Sequence, residues 1–586
     1  MRYLTDAFLS ICIIAAVCSV TSASTITVPD DFNKIQDAID DPNTVDGDTI
    51  LIEAGTYNEH DLDTGSKQLT FTGETHADGS PAVTIDAQGV GRVWHIDNTN
   101  ETVTLQNLVI TGGSTTAFGG GIYCNGPHTI TNCHVQNNTA GRGGGIYFDS
   151  GGTPTITDSV VTDNTATDGA DEIDGGGGIY CRDCGPLIER CEVTSNDATG
   201  TSAAGGGIHC NNGMGSTPNL RINDCTIASN TTGGDGGGVF LNAFADAAIQ
   251  RSDVNNNTAT LGDGGGICLI DTSTLTASDT EIHDNTAGDD GGGVGMRINR
   301  SSSFTTCLIH DNSATNFGGG IDCWQSGSSF TVTDCHVTDN TSGVGGGISC
   351  RETSSSGATI SISGCVIDAN TSNNPTGDGG GGIYSHDNTT PTISDCAITR
   401  NTTSGKGGGV SCTDNPAISD CTISMNAGVD GGGVGAWGGG TPDLDGCMIH
   451  DNTASNDGGG VYALFGSIDG CDVRSNSSGG GDDSGCGLFL SSGNIVTMGS
   501  TLVCSNTGSD EQIEGEFQDD GDNTISDECP PECPDANGDG DTDLDDLILV
   551  IEAWGTPDID SDFDGDGVVG IHDLLDLLEA WGSCGS

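Results

Sequence analysis

One repeated unit sets the terms for the whole chain. A glycine triplet leads into a short β-branched segment. A polar stretch and a second apolar segment follow, and the unit closes on Asn-Thr-Ala. Gly119 to Ala140 (GGGIYCNGPHTITNCHVQNNTA) is one copy, and Gly345 to Thr371 is another. The apolar residue after the glycines falls at Ile122, Ile146, Ile179, Ile208, Val239, Ile267, Val294, Ile321, Ile348, Ile383, Val410, Val434, Val461 and Leu488, about 28 residues apart. A period of this size specifies a solenoid, in which each repeat buries its apolar face only against its neighbours.

The segments are short, alternating and broken by Gly, Asn and Asp, which excludes helical repeats. The first position after the glycines is Ile, Val or Leu. The third is mostly apolar (Cys124, Phe148, Cys181, Cys210, Leu241, Leu269, Met296), so both point inward and the second points outward. Stacked turns of this kind make a parallel β-helix rising about 4.8 Å per turn. The triplet fits a corner where backbone meets backbone or φ is positive. Asn138, Asn164, Asn230, Asn257, Asn285, Asn340, Asn401 and Asn452 recur at the second corner, where stacked amides can hydrogen-bond along the axis. A cysteine column (Cys133, Cys191, Cys225, Cys307, Cys335, Cys365, Cys396, Cys421, Cys447, Cys471) is also inward. It reads either as a buried thiol ladder or as cross-core disulfides such as Cys124–Cys133 and Cys412–Cys421.

Composition narrows the partners. Asp and Glu number 84 against 15 Lys and Arg, a net charge of -69, so the chain has no basic patch for a nucleic acid or an anionic membrane surface. Residues 1–23 read as a secretory leader, with Arg2, an apolar run from Leu9 to Val20 and a small-residue cleavage site at Thr21-Ser22-Ala23. No later segment is apolar enough for membrane insertion. A secreted or cell-surface location follows, with cysteines in an oxidising compartment.

The opening segment Ile26 to Glu59, with a short helix expected near Phe32–Ile39 and a strand-and-turn GDTI…GTY at Gly47–Tyr57, resembles the start of pectin-lyase-like right-handed β-helices. The glycine-and-Asn repeats are similar to those of polymorphic outer-membrane adhesins. Together these resemblances imply an all-β right-handed parallel β-helix solenoid. Residues 24–110 form its N-terminal cap and first turns, and residues 111–510 its Gly-rich repeats.

Residues 511–533 read as an acidic, Pro- and Cys-containing linker, and 534–586 as a small module. Two segments offset by 27 residues each open with a calcium-type loop. The first places Asp535, Asn537, Asp539, Asp541 (carbonyl), Asp543 and Asp546 at ligand positions. The second places Asp562, Asp564, Asp566, Val568 (carbonyl) and Asp573. Hard oxygens at this spacing suit Ca²⁺. Each loop runs straight into an apolar helix, a pattern that resembles type I dockerin, a small α-helical EF-hand-type domain. The resemblance implies docking onto a cohesin-like domain or surface scaffold. Leu544-Asp545 and Ile571-His572 stand where that family helps choose its partner. Cys533 and Cys584 bracket the module and could close it with a disulfide.

Two functions compete. Five of the seven tyrosines fall at the outward position, as Tyr123, Tyr147, Tyr180, Tyr384 and Tyr462, beside Phe240 and Phe489. They form a candidate face for polysaccharide, or simply residues that favour strands. The alternative is a polysaccharide lyase or glycoside hydrolase. For that, the sequence offers the basic pairs Arg182/Arg190 and Arg297/Arg300 and the acidic pairs Asp289-Asp290 and Asp482-Asp483. The uniform repeats, without long cleft-building loops, favour binding or adhesion over catalysis.

Overall fold

A computed structural model describes residues 23–97, 102–150, 152–169, 174–213, 219–298, 300–325, 329–352, 359–374, 379–386, 389–480, 485–490, 496–508, 511–529, 536, 541–542, 544–556, 561, 568–579 and 582–583. The leader therefore falls outside the described residues. The chain divides into two units near residue 344, and the same turn is built in each.

In the first unit, one turn runs through strands Ile122–Asn125, Thr129–Thr131, His134–Gln136 and the two-residue Thr139–Ala140. Every strand pairs in parallel with its counterpart in the next turn. Ile122 is opposite Ile146, Thr129 opposite Thr155, His134 opposite Val160 and Thr139 opposite Thr165. The second unit repeats this in strands such as Val410–Cys412, Ala417–Ser419 and Thr422–Ser424, with Val410 opposite Val434 and Ile418 opposite Leu444. First and third positions fill the interior, where Ile122, Cys124, Phe148, Ile179 and Cys181 are fully buried. The expected all-β parallel solenoid is what forms.

Two left-handed residues make each turn. Asn132 (φ 46) and Asn137 (φ 55) bend the chain before and after the third strand, and an inward residue follows each of them, Cys133 and Asn138. Asn and Asp fill many of these bends because their short polar side chains tolerate positive φ. The triplet makes the remaining corner. Gly143 has φ +62; a Cβ on Gly144 would stand 2.4 Å from the Thr165 carbonyl oxygen, and one on Gly145 2.7 Å from that of Gly178. Turn stacks on turn too closely for any side chain there.

The amide ladder is continuous within each unit. In the first it starts from Asn138, and Asn164, Asn196, Asn230, Asn257, Asn285, Asn312 and Asn340 each present Oδ1 to the amide and side chain of the Asn one turn before. In the second it starts from Asn370, and Asn401, Asn426, Asn452, Asn476 and Asn506 accept in the same way. The cysteines settle as buried, reduced thiols rather than cross-core disulfides; Cys124, Cys133, Cys412 and Cys421 are all unbridged. Among the described residues one disulfide forms, Cys504–Cys529, with a Cα separation of 4.9 Å.

Two boundaries differ from expectation. Helix α1 is shorter, Ile35–Asp40, and the Glu59 carboxylate accepts the amides of Ile35 (2.8 Å) and Gln36 (3.1 Å) at its N-terminus. At the other end the β-helix runs past residue 510. Strands Ile513–Glu514, Phe517–Gly521 and Thr524–Ser526 pair with Leu488, Val496 and Leu502. The segment read as linker from 511 is thus largely solenoid, its apolar signal thinned by Asp and Glu.

Beyond it, α2 (Leu544–Glu552) and α3 (Ile571–Glu579) pack through Val550, Val569 and Leu577, with Leu547 and Leu574 against them. Asp541–Thr542 pairs antiparallel with Gly582–Ser583, joining the ends of this segment. Among the described residues no helix is long and apolar enough to cross a membrane.

Candidate functional site

The outward position is not the open face expected of it. Tyr147, Tyr180, Phe240 and Tyr384 are buried, while Tyr123, Tyr462 and Phe489 are half-buried. The cause is the segment that leads into a triplet, which lies over the outward side chain of the strand in the next turn. Phe118 stacks on Tyr147 at 4.7 Å, and Ala204 packs with Phe240, Cys268 and Ile270. The rings stack on one another from turn to turn, Tyr123 to Tyr147 at 5.8 Å, Tyr147 to Tyr180 at 5.0 Å and Tyr462 to Phe489 at 5.0 Å. They form a second apolar layer outside the β-helix, and only Tyr123, Tyr462 and Phe489 keep a partly open ring.

The same covering layer carries a cluster of charge. Asp235, Asp263 and Asp290 each stand just before a triplet, one per turn, and all three are buried. Each carboxylate accepts an amide from the next turn: Asp263 N–H to Asp235 at 2.8 Å, Asp290 N–H to Asp263 at 3.1 Å and Phe317 N–H to Asp290 at 3.1 Å. Arg297, from strand Val294–Ile298, reaches back to Asp235 and to Asp263, the latter at 2.9 Å. The half-buried Asp289 joins them, so that carboxylate oxygens of Asp263, Asp289 and Asp290 lie within 4.8 Å of one another. A cavity of about 210 Å³ opens here, lined by Thr201, Ser202, Asp235, Asp263, Asp289 and Arg297.

One arginine does not balance this set. Burial lifts the Asp263 carboxyl, Arg297 opposes the rise, and the Asp235 and Asp290 charges add to it, so that it is held at about 7. The site therefore keeps an exchangeable proton near neutral pH beside ionisable carboxyls. Asp263, Asp289 and Asp290 are also the described residues whose geometry suits a cation in this unit.

The sequence had pointed to Asp289-Asp290 and Arg297, and the structure brings these together. It had not pointed to Asp235 or Asp263; the signal was an Asp before the triplet in successive repeats. Arg300 goes elsewhere, to Asp246 and the Thr272 carbonyl at 3.0 Å each. Arg182 and Arg190 do not act as a pair: Arg182 forks onto Asp149 (2.8 and 2.6 Å), and Arg190 onto Asp158 (2.7 and 3.0 Å). Asp482-Asp483 lies outside the described residues. A second, open groove of about 660 Å³ runs along the bends of the first unit, bordered by Asp224, Arg251, Asp253, Asp279, Glu281 and Leu308.

Of the calcium-loop ligands, Asp535, Asn537, Asp539, Asp543, Asp562, Asp564 and Asp566 lie outside the described residues, as do Cys533 and Cys584. Asp541 lies on the paired strand and Asp573 in α3. Val568 is exposed, and the Asp546 side chain is fully buried at the start of α2, where the last ligand of such a loop closes on its ion. Among the described ligands, the buried Asp546 carboxylate is a hard oxygen donor of the kind Ca²⁺ takes.

Comparison with known proteins bears on the fold. A solved mannuronic acid-specific polysaccharide family 6 lyase from human gut microbiota aligns over 85% of this chain and 92% of its own, at 9% identity and a TM-score of 0.22. The family 6 alginate lyase AlyGC aligns over 86% and 99%, at 10% identity and a TM-score of 0.17. A cell surface glycoprotein of Methanothermus fervidus is 34% identical over 110 residues, which are 18% of this chain and 15% of that relative. The chain thus matches only a small part of its curated relative. The model of the right-handed β-helix region matches residues 83–371 and 237–449, more than half of the sequence. On that match, joined to the stacked parallel turns, the chain belongs to the right-handed β-helix family.

Proposed function

We propose that this is an extracellular cell-surface protein with a binding or structural role. In this reading it is anchored through a Ca²⁺-binding, dockerin-like C-terminal module to a cohesin-like domain or surface scaffold, and its β-helix engages carbohydrate or a neighbouring surface. The observation that carries the reading is a duplicated apolar row. Leu544, Ile548 and Ile551 on α2, and Ile571, Leu575 and Leu578 on α3, are 43–59% exposed. Each residue of the first row has its counterpart 27 positions later. Residues at i, i+4 and i+7 share one helix face, and exposed apolar faces of this kind mark sites for a protein partner. The local likeness to a cell surface glycoprotein supports a surface location. The groove beside Arg251 is a candidate place for a hydroxyl-rich ligand.

The test is retention of the full chain on immobilised cohesin-type domains, with Ca²⁺ and with a chelator. Because the rows are duplicated, the informative variant is the double change Ile548→Asp with Leu575→Asp. Retention that disappears with the chelator and with the double variant supports anchoring; retention indifferent to both refutes it.

A second reading, a polysaccharide-degrading enzyme, is favoured by the proton held on Asp263 beside Asp289 and Asp290. Product formation from a panel of neutral and acidic polysaccharides, abolished by Asp289→Asn, would support it. No turnover across the panel would reject it.

A further inference from the structure

The corner between the second and third strands carries side chains that neither reading uses. In the second unit this slot is cysteine in five consecutive turns, Cys365, Cys396, Cys421, Cys447 and Cys471. The backbone fixes their register. Ala397 N–H donates to Cys365 O, Thr422 to Cys396, Met448 to Cys421 and Asp472 to Cys447, each at 2.9 Å. All five thiols are reduced and buried. Each S–H is directed at the carbonyl two residues earlier, at 3.1–3.5 Å. Cys396 thus stands between Cys365 and Cys421, and Cys447 between Cys421 and Cys471.

The fold does not need sulfur here. Ser159 and Ser252 hold the same slot in the first unit, donating to Thr157 O at 2.8 Å and Gln250 O at 2.9 Å. They accept the amides of Cys133 (3.0 Å) and Cys225 (3.2 Å) in the same way. A hydroxyl does the corner's work, so an unbroken run of thiols is more than the turn geometry asks for.

Strand spacing supplies the rest. Turns repeat at about 4.8 Å, so a cation midway between successive sulfurs would stand roughly 2.4 Å from each, close to a metal–thiolate bond of about 2.3 Å. Thiolates select soft cations. A dry column disfavours net charge, which argues for monovalent ions. Five thiols leave four gaps. Each cation entering a gap displaces one S–H proton to solvent and bridges two sulfurs; with all gaps filled, the fifth thiol keeps its proton and the column is neutral. We propose that Cys365 to Cys471 form a linear site for soft monovalent cations of the Cu(I) and Ag(I) class.

The reduced full chain is incubated with Ag(I), separated from loosely held metal by gel filtration, and its silver counted by mass spectrometry. Wild type is expected to hold about four more ions per chain than the variant with all five cysteines changed to serine. Cys421→Ser breaks two gaps and loses about two ions. Cys133→Ser, in the same slot but between Leu108 and Ser159, loses none. Silver raises the thermal midpoint of wild type more than that of Cys421→Ser. Equal losses from Cys421→Ser and Cys133→Ser would mean the thiols act singly and would overturn the proposal, as would equal silver in wild type and the fivefold variant. Cys396→Ser carries the same expectation as Cys421→Ser and replaces it should that variant lose its β-type circular dichroism.

Discussion

Asp263 allows the acidic cavity to be tested without knowing its ligand. In the folded chain its carboxyl is held at about 7, by burial first, with Asp235 and Asp290 adding to the rise against Arg297. In an unfolded chain an Asp sits near 3.9. A gap of about three units, at roughly 1.36 kcal/mol each, amounts to about 4 kcal/mol. The sign follows from the direction of the shift. A carboxyl raised by folding costs nothing while both states are protonated, near pH 4 and below. The cost grows as the unfolded state ionises and is complete once pH passes about 7. Asp263→Asn removes the charge and keeps an oxygen for the Asp290 amide, now at 3.1 Å. The value of about 7 already contains the opposing pull of Arg297, so that pair needs no separate allowance. The variant should match wild type at pH 4 and exceed it by roughly 2–4 kcal/mol at pH 8. Guanidinium unfolding followed by far-UV circular dichroism, run on both proteins at four pH values, reads this as a difference of midpoints. A difference flat in pH refutes the argument. A difference that falls as pH rises would show that Arg297 outweighs burial and keeps the carboxylate charged.

Three further outcomes test the frame itself. Asn257→Ala orphans the buried Asn230 amide and one side-chain N–H of Asn230, which now donate to Asn257 Oδ1 at 3.0 and 2.9 Å, and should cost about 3–5 kcal/mol. Its exposed neighbour Asn256→Ala should cost about 1 kcal/mol, for an alanine at φ 53; equal thermal midpoints would remove the ladder's importance. Gly265→Ala puts a Cβ 2.5 Å from the Gly292 oxygen and should cost about 3 kcal/mol or more, whereas Gly55→Ala, with nothing nearer than 3.9 Å, should be near neutral in the same melting experiment. Ala369 holds φ 55, so Ala369→Gly should raise stability by a few tenths to 1 kcal/mol, and a loss of stability would refute the strain assigned there.

The interior of this protein was legible because its contacts repeat at the sequence period. Ile122 meets Ile146, and Cys133 is followed at the same corner by Ser159, so aligning the repeats is already a map of the core. Eight members of the Asn column could be read for the same reason, and the structure adds Asn196, Asn312, Asn370, Asn426, Asn476 and Asn506, where the Asn-Thr-Ala signature is altered. Alternation reports which side of a strand a residue takes, but not what else covers that side. Tyr147 and Phe240 do face away from the core, and they are buried because the approach to the triplet one turn before lies over them, a loop geometry that no period encodes. The end of the solenoid was misplaced for a different reason. Ile513, Phe517 and Ile525 keep the strand spacing, but acidic neighbours mask it.

The acidic cavity shows how far such masking can go. Its residues sit in different repeats and reach across turns: Arg297 lies 62 residues from Asp235 in sequence, yet pairs with it. In a linear reading these are single charges scattered along an acidic chain, and scattered charges normally stay solvated. Stacking converts them into a set, because the same outer position recurs every turn and a long side chain spans two rises of about 4.8 Å. What this architecture leaves free to vary is therefore the outer layer, where a turn can depart from the repeat. An Asp stands before the triplet where Ala204 or Phe317 stands in other turns, and an Arg follows where Ile270 does. Most inward positions answer to the neighbours above and below and stay apolar. Chemistry specific to this chain has room only outside them, at Asp263 and Arg297, or in slots such as the Cys365 column where one donor can replace another without moving the backbone.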